Sequence, residues 1–514
     1  MGYFQSTETV MNIQNLIQFL KRMFLCCGCL FLFFFGTVGA SQIDKPNIIV
    51  ILVDDLGYAD HSLSPHSTIK TPGLERLARS GIIFDAGFVS HPYCGPSRAG
   101  LLTGRHQARF GMETNPSYSP YDSYHGLPLD EKLLSEYLSE SGYRTGIFGK
   151  WHMGAAPEYH PLNRGFDSFY GFLSGGHDYF QVDTTRAHTK NGQLLYSEIE
   201  GATLPLSKGT STVSFEGYLT DALTTEAIEF INAESENPFF LYLSYNAPHG
   251  PLQAPKELVD KYSDAGDWAR ATYLAMVDSL DQNVERLLKE LDRNGLYDNS
   301  LIFFLSDNGG VYASESRRHE NWANNFPLRG GKGSFYEGGI RVPFIASWPA
   351  KWPTGKRYSP MVSSLDIATT AIAAAGFEGV PESALDGVDL TPYLTGKVSG
   401  SPHAYLFWRS AYNNSFAVRS NDSKLLLNAA SGNVIEFYDL KADPTESNTV
   451  TSSFPREAMV MSEAWNQWNL GNIENASMEA FEYQKTRDQF FRDQAEALQA
   501  KALKRKPFQI KLKP

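Results

Sequence analysis

The sequence predicts an α/β fold: an open, mostly parallel sheet flanked by helices, with a smaller antiparallel sheet near the C-terminus. Three features of the chain predict this. The runs NIIVILV (47–53), PFFLYLSY (238–245) and SLIFFLS (300–306) are apolar without alternation, as strands buried on both faces are. Stretches with helical spacing separate them, and a strand–helix–strand–helix order favours parallel crossovers. After about residue 395 the apolar runs become short and closely spaced between Asn, Ser and Gly, which reads as a small antiparallel sheet.

Taken in order, the elements begin with a segment outside the fold. Lys21 and Arg22 precede MFLCCGCLFLFFFGTVGA, a short apolar core that ends in the small residues Gly39 and Ala40. That is the pattern of a secretory signal peptide over residues 1–40, so the chain is expected to be exported, to a periplasm or to the medium. Residues 41–395 form the expected large domain. Within it, NIIVILV is the first strand, and LERLARSGI and DEKLLSEYLSESG are helical. YRTGIFG (143–149) is a strand, DALTTEAIEFINA a helix, and PFFLYLSY a strand. WARATYLAMVDSLDQNVERLLKELDRNG is a long amphipathic helix ending at Gly295, and SLIFFLS follows it. Residues 396–514 are the expected C-terminal subdomain. Its strands are AYLFWRS, SFAVRS, KLLLNAA and IEFYDL, followed by a polar helical stretch (480–503) and the basic tail KALKRKPFQIKLKP.

The 514 residues are 42% hydrophobic and 20% charged, which is globular composition with room for a large and a smaller domain. The formal net charge of -12 argues against nucleic acid as a partner. It leaves room for an anionic substrate, because a local cationic pocket can sit in an acidic protein.

The polar residues cluster where the strands end. Asp54 and Asp55 follow the first strand, and Lys150 and His152 follow the second, in GKWHMG. His249 follows the third, in NAPHGP, and Asp307 and Asn308 follow the fourth, in SDNGG. Open α/β sheets bind ligands beyond the carboxyl ends of their strands. Asp-Asn-Gly-Gly alone reads as a turn, but successive strand ends delivering such residues point to a site. Asp54, Asp55, Asp307 and Asn308 are a hard, oxygen-only set suited to Ca²⁺ or Mg²⁺ rather than zinc.

Cys94 raises a separate question. The other cysteines, Cys26, Cys27 and Cys29, lie in the leader, so the exported chain would carry one thiol with no disulfide partner. It sits in HPYCGPSRAGLLTGRH, at the expected start of a helix, where the dipole favours anions and is expected to lower a thiol pKa. Arg98 follows one turn on, and Arg105 ends the motif. The residues describe a nucleophile at an anion-binding helix start, near a divalent cation.

CGPSRAGLLTGR closely resembles the signature of the type I, formylglycine-dependent sulfatase family, and GKWHMG resembles that family's second signature. PNIIVILVDDLGYAD, NAPHGP, SDNGG and LRGGKGSFYEGGIRVPFIASWP resemble further sulfatase blocks in the family's order, from about residue 45 to 350. EFYDLKADPTESN extends the resemblance into the C-terminal subdomain. The resemblance implies an alkaline-phosphatase-like fold and Ca²⁺ held by Asp54, Asp55, Asp307 and Asn308. It implies that a separate formylglycine-generating enzyme oxidises Cys94 to formylglycine, whose hydrate attacks sulfur and later releases sulfate to restore the aldehyde. Lys150, Lys332 and Arg98 would neutralise the sulfate. His249 would protonate the leaving alcohol, with Lys332 assisting, and His152 would pair with the hydrated aldehyde.

His177, in SGGHDYF, is expected to bind substrate, although Gly176 stands where some members carry a serine that contacts sulfate. Arg317, Arg318, His319, Glu320, Asn321 and Trp322 form a polar insertion that reads equally as a sugar site or a solvated loop. The implied substrate is a sulfated carbohydrate, such as an oligosaccharide derived from ulvan or a galactan. Two other readings stand beside it. One is a phosphonate or phosphate ester hydrolase of the same superfamily. The other is an inactive binder of sulfated glycans, which would be expected to lose Cys94, a metal ligand or a basic residue; none is missing.

Overall fold

A computed structural model of the chain describes Gly2 and residues 45–503, apart from 117–119, 121, 181–188, 191–192, 195–204, 312–321, 411–413, 429–431, 433, 453 and 479. The expected leader from residue 3 onward, the insertion residues Arg317 to Asn321 and the tail beyond 503 lie outside the described residues.

The main sheet is built from β1 (Asn47–Val53), β2 (Ile82–Phe84), β3 (Arg144–Lys150), β4 (Ser168–Phe172), β5 (Ser207–Lys208), β6 (Ser211–Thr212), β7 (Phe239–Ser244), β8 (Ser300–Ser306), β9 (Phe344–Ser347) and β10 (Lys356–Tyr358). Their order across the sheet is β10-β2-β9-β8-β1-β7-β3-β4-β5-β6. The centre, from β8 to β4, is parallel; β9 and β5 join antiparallel toward the two edges. The predicted strands are its middle. Successive residues of β1 serve opposite cores: Ile48, Val50 and Leu52 on one side, Ile49, Ile51 and Val53 on the other. That two-sided burial is why the strand reads as an unbroken apolar run.

Helices cover both faces. Pro72–Arg79 (α1), Leu219–Asn232 (α4) and Trp268–Arg293 (α5) supply apolar side chains to the core around Ile49. Cys94–Thr103 (α2), Leu134–Glu140 (α3) and Leu365–Ala374 (α6) supply the core around Ile48. Every residue of α2 is buried, and the helix ends at Gly104, whose φ of 65° is the left-handed conformation that glycine adopts at low cost.

The predicted C-terminal sheet is present as four antiparallel strands, β11 (Leu406–Ser410), β12 (Ser415–Arg419), β13 (Ser423–Asn428) and β14 (Val434–Asp439). Here the period of two is clear. Trp408, Ala417, Leu426 and Tyr438 join the main core, while Val418, Leu425 and Phe437 pack with Ala458 and Met461 of α7 (Arg456–Asn469). The Trp408 indole also donates to the Val89 carbonyl at 2.8 Å. The helix predicted at the end is α8 (Ala480–Leu503). The described residues from Lys45 onward accordingly cluster as one unit.

Candidate active site

The strand register builds the site. β1 pairs with β8 so that Val53 faces Ser306, which sets Asp54 beside Asp307. β1 pairs with β7 through Leu52 and Ser244, and Ser244 in turn faces Gly149 of β3, one residue before Lys150. Four strand ends therefore converge, as the sequence predicted. Gly149 is required there: a Cβ on it would meet the Ser244 carbonyl oxygen at 1.9 Å. Asp55 and His152 take φ values of 63° and 61°, a left-handed backbone uncommon outside glycine but tolerated best by Asp, Asn and His.

The paired aspartates divide their partners. Asp54 receives the Lys150 ammonium at 2.5 Å and lies 3.5 Å from the Arg98 guanidinium. Asp55 turns the other way, to Lys332 at 2.9 Å, the Asn308 amide at 2.6 Å and His249 Nε2 at 3.7 Å. Arg98 also holds Asp307 at 2.8 Å and donates to the Lys150 carbonyl, and Ser244 Oγ bridges the same two groups. Cys94 is the first residue of α2, and its Sγ lies 3.4 Å from Asp54 Oδ1. Ligand-type atoms of Asp54, Asp55, Cys94 and Asp307 all lie within 4.8 Å of one another, and a second such group joins Asp54, Cys94 and His249.

This set fits a hard cation. Asp307 Oδ1 and Asn308 Oδ1 are buried oxygens with no hydrogen-bond partner among the described residues. Leaving such groups unpaired costs roughly 1–3 kcal/mol each, and a cation at the oxygen cluster would satisfy both. Asp54, Asp55, Asp307 and Asn308 are the residues that would hold it.

Burial and charge set the titration of these groups. Burial opposes ionisation of Asp54, but Lys150, His249 and Arg98 hold it well below the usual carboxylate range. Burial and the Asp54 charge push Asp307 up to about 6. Burial, with Lys150 and Arg98 nearby, holds His152 well below 6.5, so its imidazole is neutral at neutral pH. Burial also works against Lys332, but Asp55 keeps it protonated. The expected lowering of the Cys94 thiol is not borne out. Burial raises it well above the ordinary value, and Asp54 adds to the effect. The helix start was legible in the sequence, but the carboxylate facing it was not.

His177 is not a member of the oxygen cluster. Its ring lies against Phe172 and Phe215, and its Nδ1 is 2.8 Å from the Asp178 carbonyl. Other supports escaped the sequence reading. The Tyr179 hydroxyl reaches the carbonyls of Asn246 (2.7 Å) and His249 (2.8 Å), pinning the loop that carries His249. A Cβ on Gly309 would meet the Gly338 carbonyl at 1.8 Å, so SDNGG needs its first glycine to pack against the YEGG turn rather than merely to turn. In that turn Glu337 is buried and meets Arg419 at 3.0 Å and Lys424 at 3.2 Å, both from the C-terminal sheet. Lys424 also meets Glu446 at 2.8 Å, and Arg329 donates to the Glu446 carbonyl. The loop bearing Lys332 is thus fastened at both sides by the C-terminal sheet. The YEGG block was visible in the sequence; its partners lie too far along the chain to be read.

Comparison with known proteins agrees with this geometry. The family model described as Sulfatase matches residues 46–377, and one described as N-sulphoglucosamine sulphohydrolase, C-terminal, matches 331–469. N-acetylgalactosamine-6-sulfatase of Mus musculus is 33% identical over 384 residues, covering 72% of this chain and 70% of its own length. Arylsulfatase A of Bos taurus is 34% identical over 432 residues, 81% of each protein. Among solved structures, Ps i-CgsB in complex with k-i-k-neocarrahexaose superposes with a TM-score of 0.77 at 38% identity, covering 85% of this chain and 95% of that one. With its signature cysteine at the head of a buried helix and the oxygen cluster facing it, the chain belongs to the sulfatase family.

Proposed function

We propose that this sulfatase hydrolyses sulfate esters on oligosaccharides of a sulfated galactan, with Cys94 matured to formylglycine and Ca²⁺ at the oxygen cluster. The observation that carries it is the convergence of Cys94 with Asp54, Asp55 and Asp307, ringed by Arg98, Lys150 and Lys332. The choice of glycan rests on the likeness to Ps i-CgsB, solved with a neocarrahexaose.

Ca²⁺ would supply Lewis-acid polarisation of a sulfate oxygen. Formylglycine would supply, as its hydrate, the attacking hydroxyl. The chain's own residues do the rest. Asp54, Asp55 and Asp307 already offset Arg98, Lys150 and Lys332, so a divalent cation makes the pocket net positive for an anionic ester. Lys150 and Arg98 are locked in place by Asp54 and Asp307 and need no reorganisation when substrate arrives. His249 Nε2 and the Lys332 ammonium both face Asp55, which puts two proton donors on one side for the departing alcohol oxygen. His152, buried and neutral at neutral pH, is a base that would be able to hold a proton on the nucleophile's side of the pocket.

Export to a periplasm or the medium belongs to the same reading, with residues 1–40 as the leader; the recovered protein is expected to begin at Ser41. A formylglycine-generating enzyme is the required maturation partner.

Measuring inorganic sulfate released from a panel of sulfated galactan, ulvan and glycosaminoglycan oligosaccharides tests the proposal. The protein is co-expressed with a converting enzyme, and Cys94→Ala is run alongside. Release confined to the galactans and reduced roughly 10⁴-fold or more in the variant is the expected result. No release from any glycan, with mass spectrometry showing the aldehyde at position 94, would overturn it. The phosphonate monoester hydrolase reading would then be tested next.

A further inference from the structure

A cavity of about 680 Å³ lies outside the catalytic cluster, within the size range of small-molecule sites (roughly 300–1,000 Å³). Lys261, Tyr262, Asp264, Arg270, Trp322 and Asn324 line it, and none of them enters the chemistry above. Its walls are built rather than incidental. The buried Asp60 carboxylate pairs with Arg270 at 2.6 Å and accepts from the Asn324 N–H at 2.6 Å. Arg270 donates onward to the Trp322 carbonyl. On the opposite side, Asp278 takes both Lys261, at 2.5 Å, and the Tyr262 hydroxyl, at 2.9 Å.

These pairings decide the ligand class. Both cations are already neutralised by carboxylates, so the cavity is not an anion trap. It offers two aromatic rings among hydrogen-bonding groups, the combination that suits the apolar face and hydroxyl rim of an uncharged sugar ring.

The chain connections decide the location. Lys261 and Tyr262 follow, in one run, the loop carrying His249. Trp322 and Asn324 lie between the metal loop and Lys332. Next to them, the Asn325 amide donates to the carbonyls of Gly310 (2.9 Å) and Gly330 (3.1 Å), tying this wall to both catalytic loops. His249 and Lys332 are the two groups assigned to the leaving alcohol, and the chain segments that carry them continue into the walls of the cavity.

We infer that this cavity is a glycan subsite, holding an uncharged sugar residue of the chain whose sulfated residue sits at Cys94. The inference rests on the glycan-sulfatase reading.

The test compares kcat/KM for a sulfated galactan oligosaccharide with kcat/KM for a small aryl sulfate, in the wild type, Trp322→Ala, and Ala265→Trp, which fills the cavity from its other wall. The expected result is a fall of about tenfold or more in the ratio of oligosaccharide to aryl sulfate, in both variants. An unchanged ratio, or an equal loss on both substrates, overturns the subsite. If wild type cleaves the aryl sulfate and no oligosaccharide, the parent reading has failed, and the subsite with it. If wild type cleaves the oligosaccharide and the variants keep its ratio, only the subsite has failed.

Discussion

Two buried clusters in this protein are made of the same ingredients and finished differently. At the strand ends, Asp54, Asp55 and Asp307 meet Arg98, Lys150 and Lys332. Under the C-terminal sheet, Glu337 and Glu446 meet Arg419 and Lys424. In the second cluster each carboxylate oxygen has a cation or an N–H within reach: Glu337 Oε2 lies 3.6 Å from Arg341 and Glu446 Oε1 2.8 Å from Lys424, ion pairs without a formed hydrogen bond, and Glu446 Oε2 accepts from the Glu337 N–H. In the first, Asp307 Oδ1 and the neighbouring Asn308 Oδ1 are left over. A closed set of charges holds two parts of a fold together. A set with unused buried oxygens is prepared for something that is not protein.

Several measurements would break or sharpen that contrast. The largest effect is expected from His249→Ala, which removes the proposed proton donor to the leaving alcohol. Turnover should fall roughly 10²–10⁴-fold on a sugar sulfate and less on an aryl sulfate, whose phenol departs with little help; equal losses would argue against a leaving-group role. Lys424→Met should act on the other cluster. It leaves Glu446 without its cation while Glu337 keeps Arg419, and breaking a buried pair costs about 3–5 kcal/mol, to be read by urea unfolding. A stable Lys424→Met variant would refute the closed-set description.

Calcium should separate the clusters directly. At a hundredfold excess over Kd it should stabilise wild type by about 2.7 kcal/mol. Chelation should remove this gain, Asn308→Ala should diminish it, and Lys424→Met should keep it. The smallest effect is a pH dependence at a pair that belongs to neither cluster. Burial opposes protonation of His403, but Asp366, 2.9 Å away, pushes its pKa up. A raised imidazole contributes fully below its unfolded value of 6.5 and loses that contribution as pH rises through the native value. His403→Gln should therefore flatten the decline of stability above pH 6.5, and an unchanged slope would remove His403 from the account.

Much of this was legible in the sequence. The central strands were readable because both faces are buried, and the clustered polar residues because they follow those strands directly. Asp54, Asp55, Lys150, His152, His249, Asp307 and Asn308 are therefore found where one-dimensional reasoning put them. What it missed depends on distant pairing. Arg419 and Lys424 reach Glu337 only after the chain has made another sheet, and Tyr179 meets His249 through a hydroxyl and a carbonyl that carry no sequence pattern. The Cys94 thiol was misjudged for the same reason: its helix is local, but the carboxylate beside it arrives from another strand.

The burial of Cys94 has a consequence in time. The residue is 2% exposed in the finished fold, at the head of a helix with no exposed residue. A converting enzyme cannot reach it there, so under the proposed maturation the oxidation belongs to the interval between synthesis and closure. The strands that brace the Lys332 loop come late in the chain, so the emerging polypeptide holds that interval open until its last third has been made. A molecule that folds unconverted is sealed as a dead end. Refolded, unconverted protein should resist the converting enzyme, while the same chain presented unfolded should accept it.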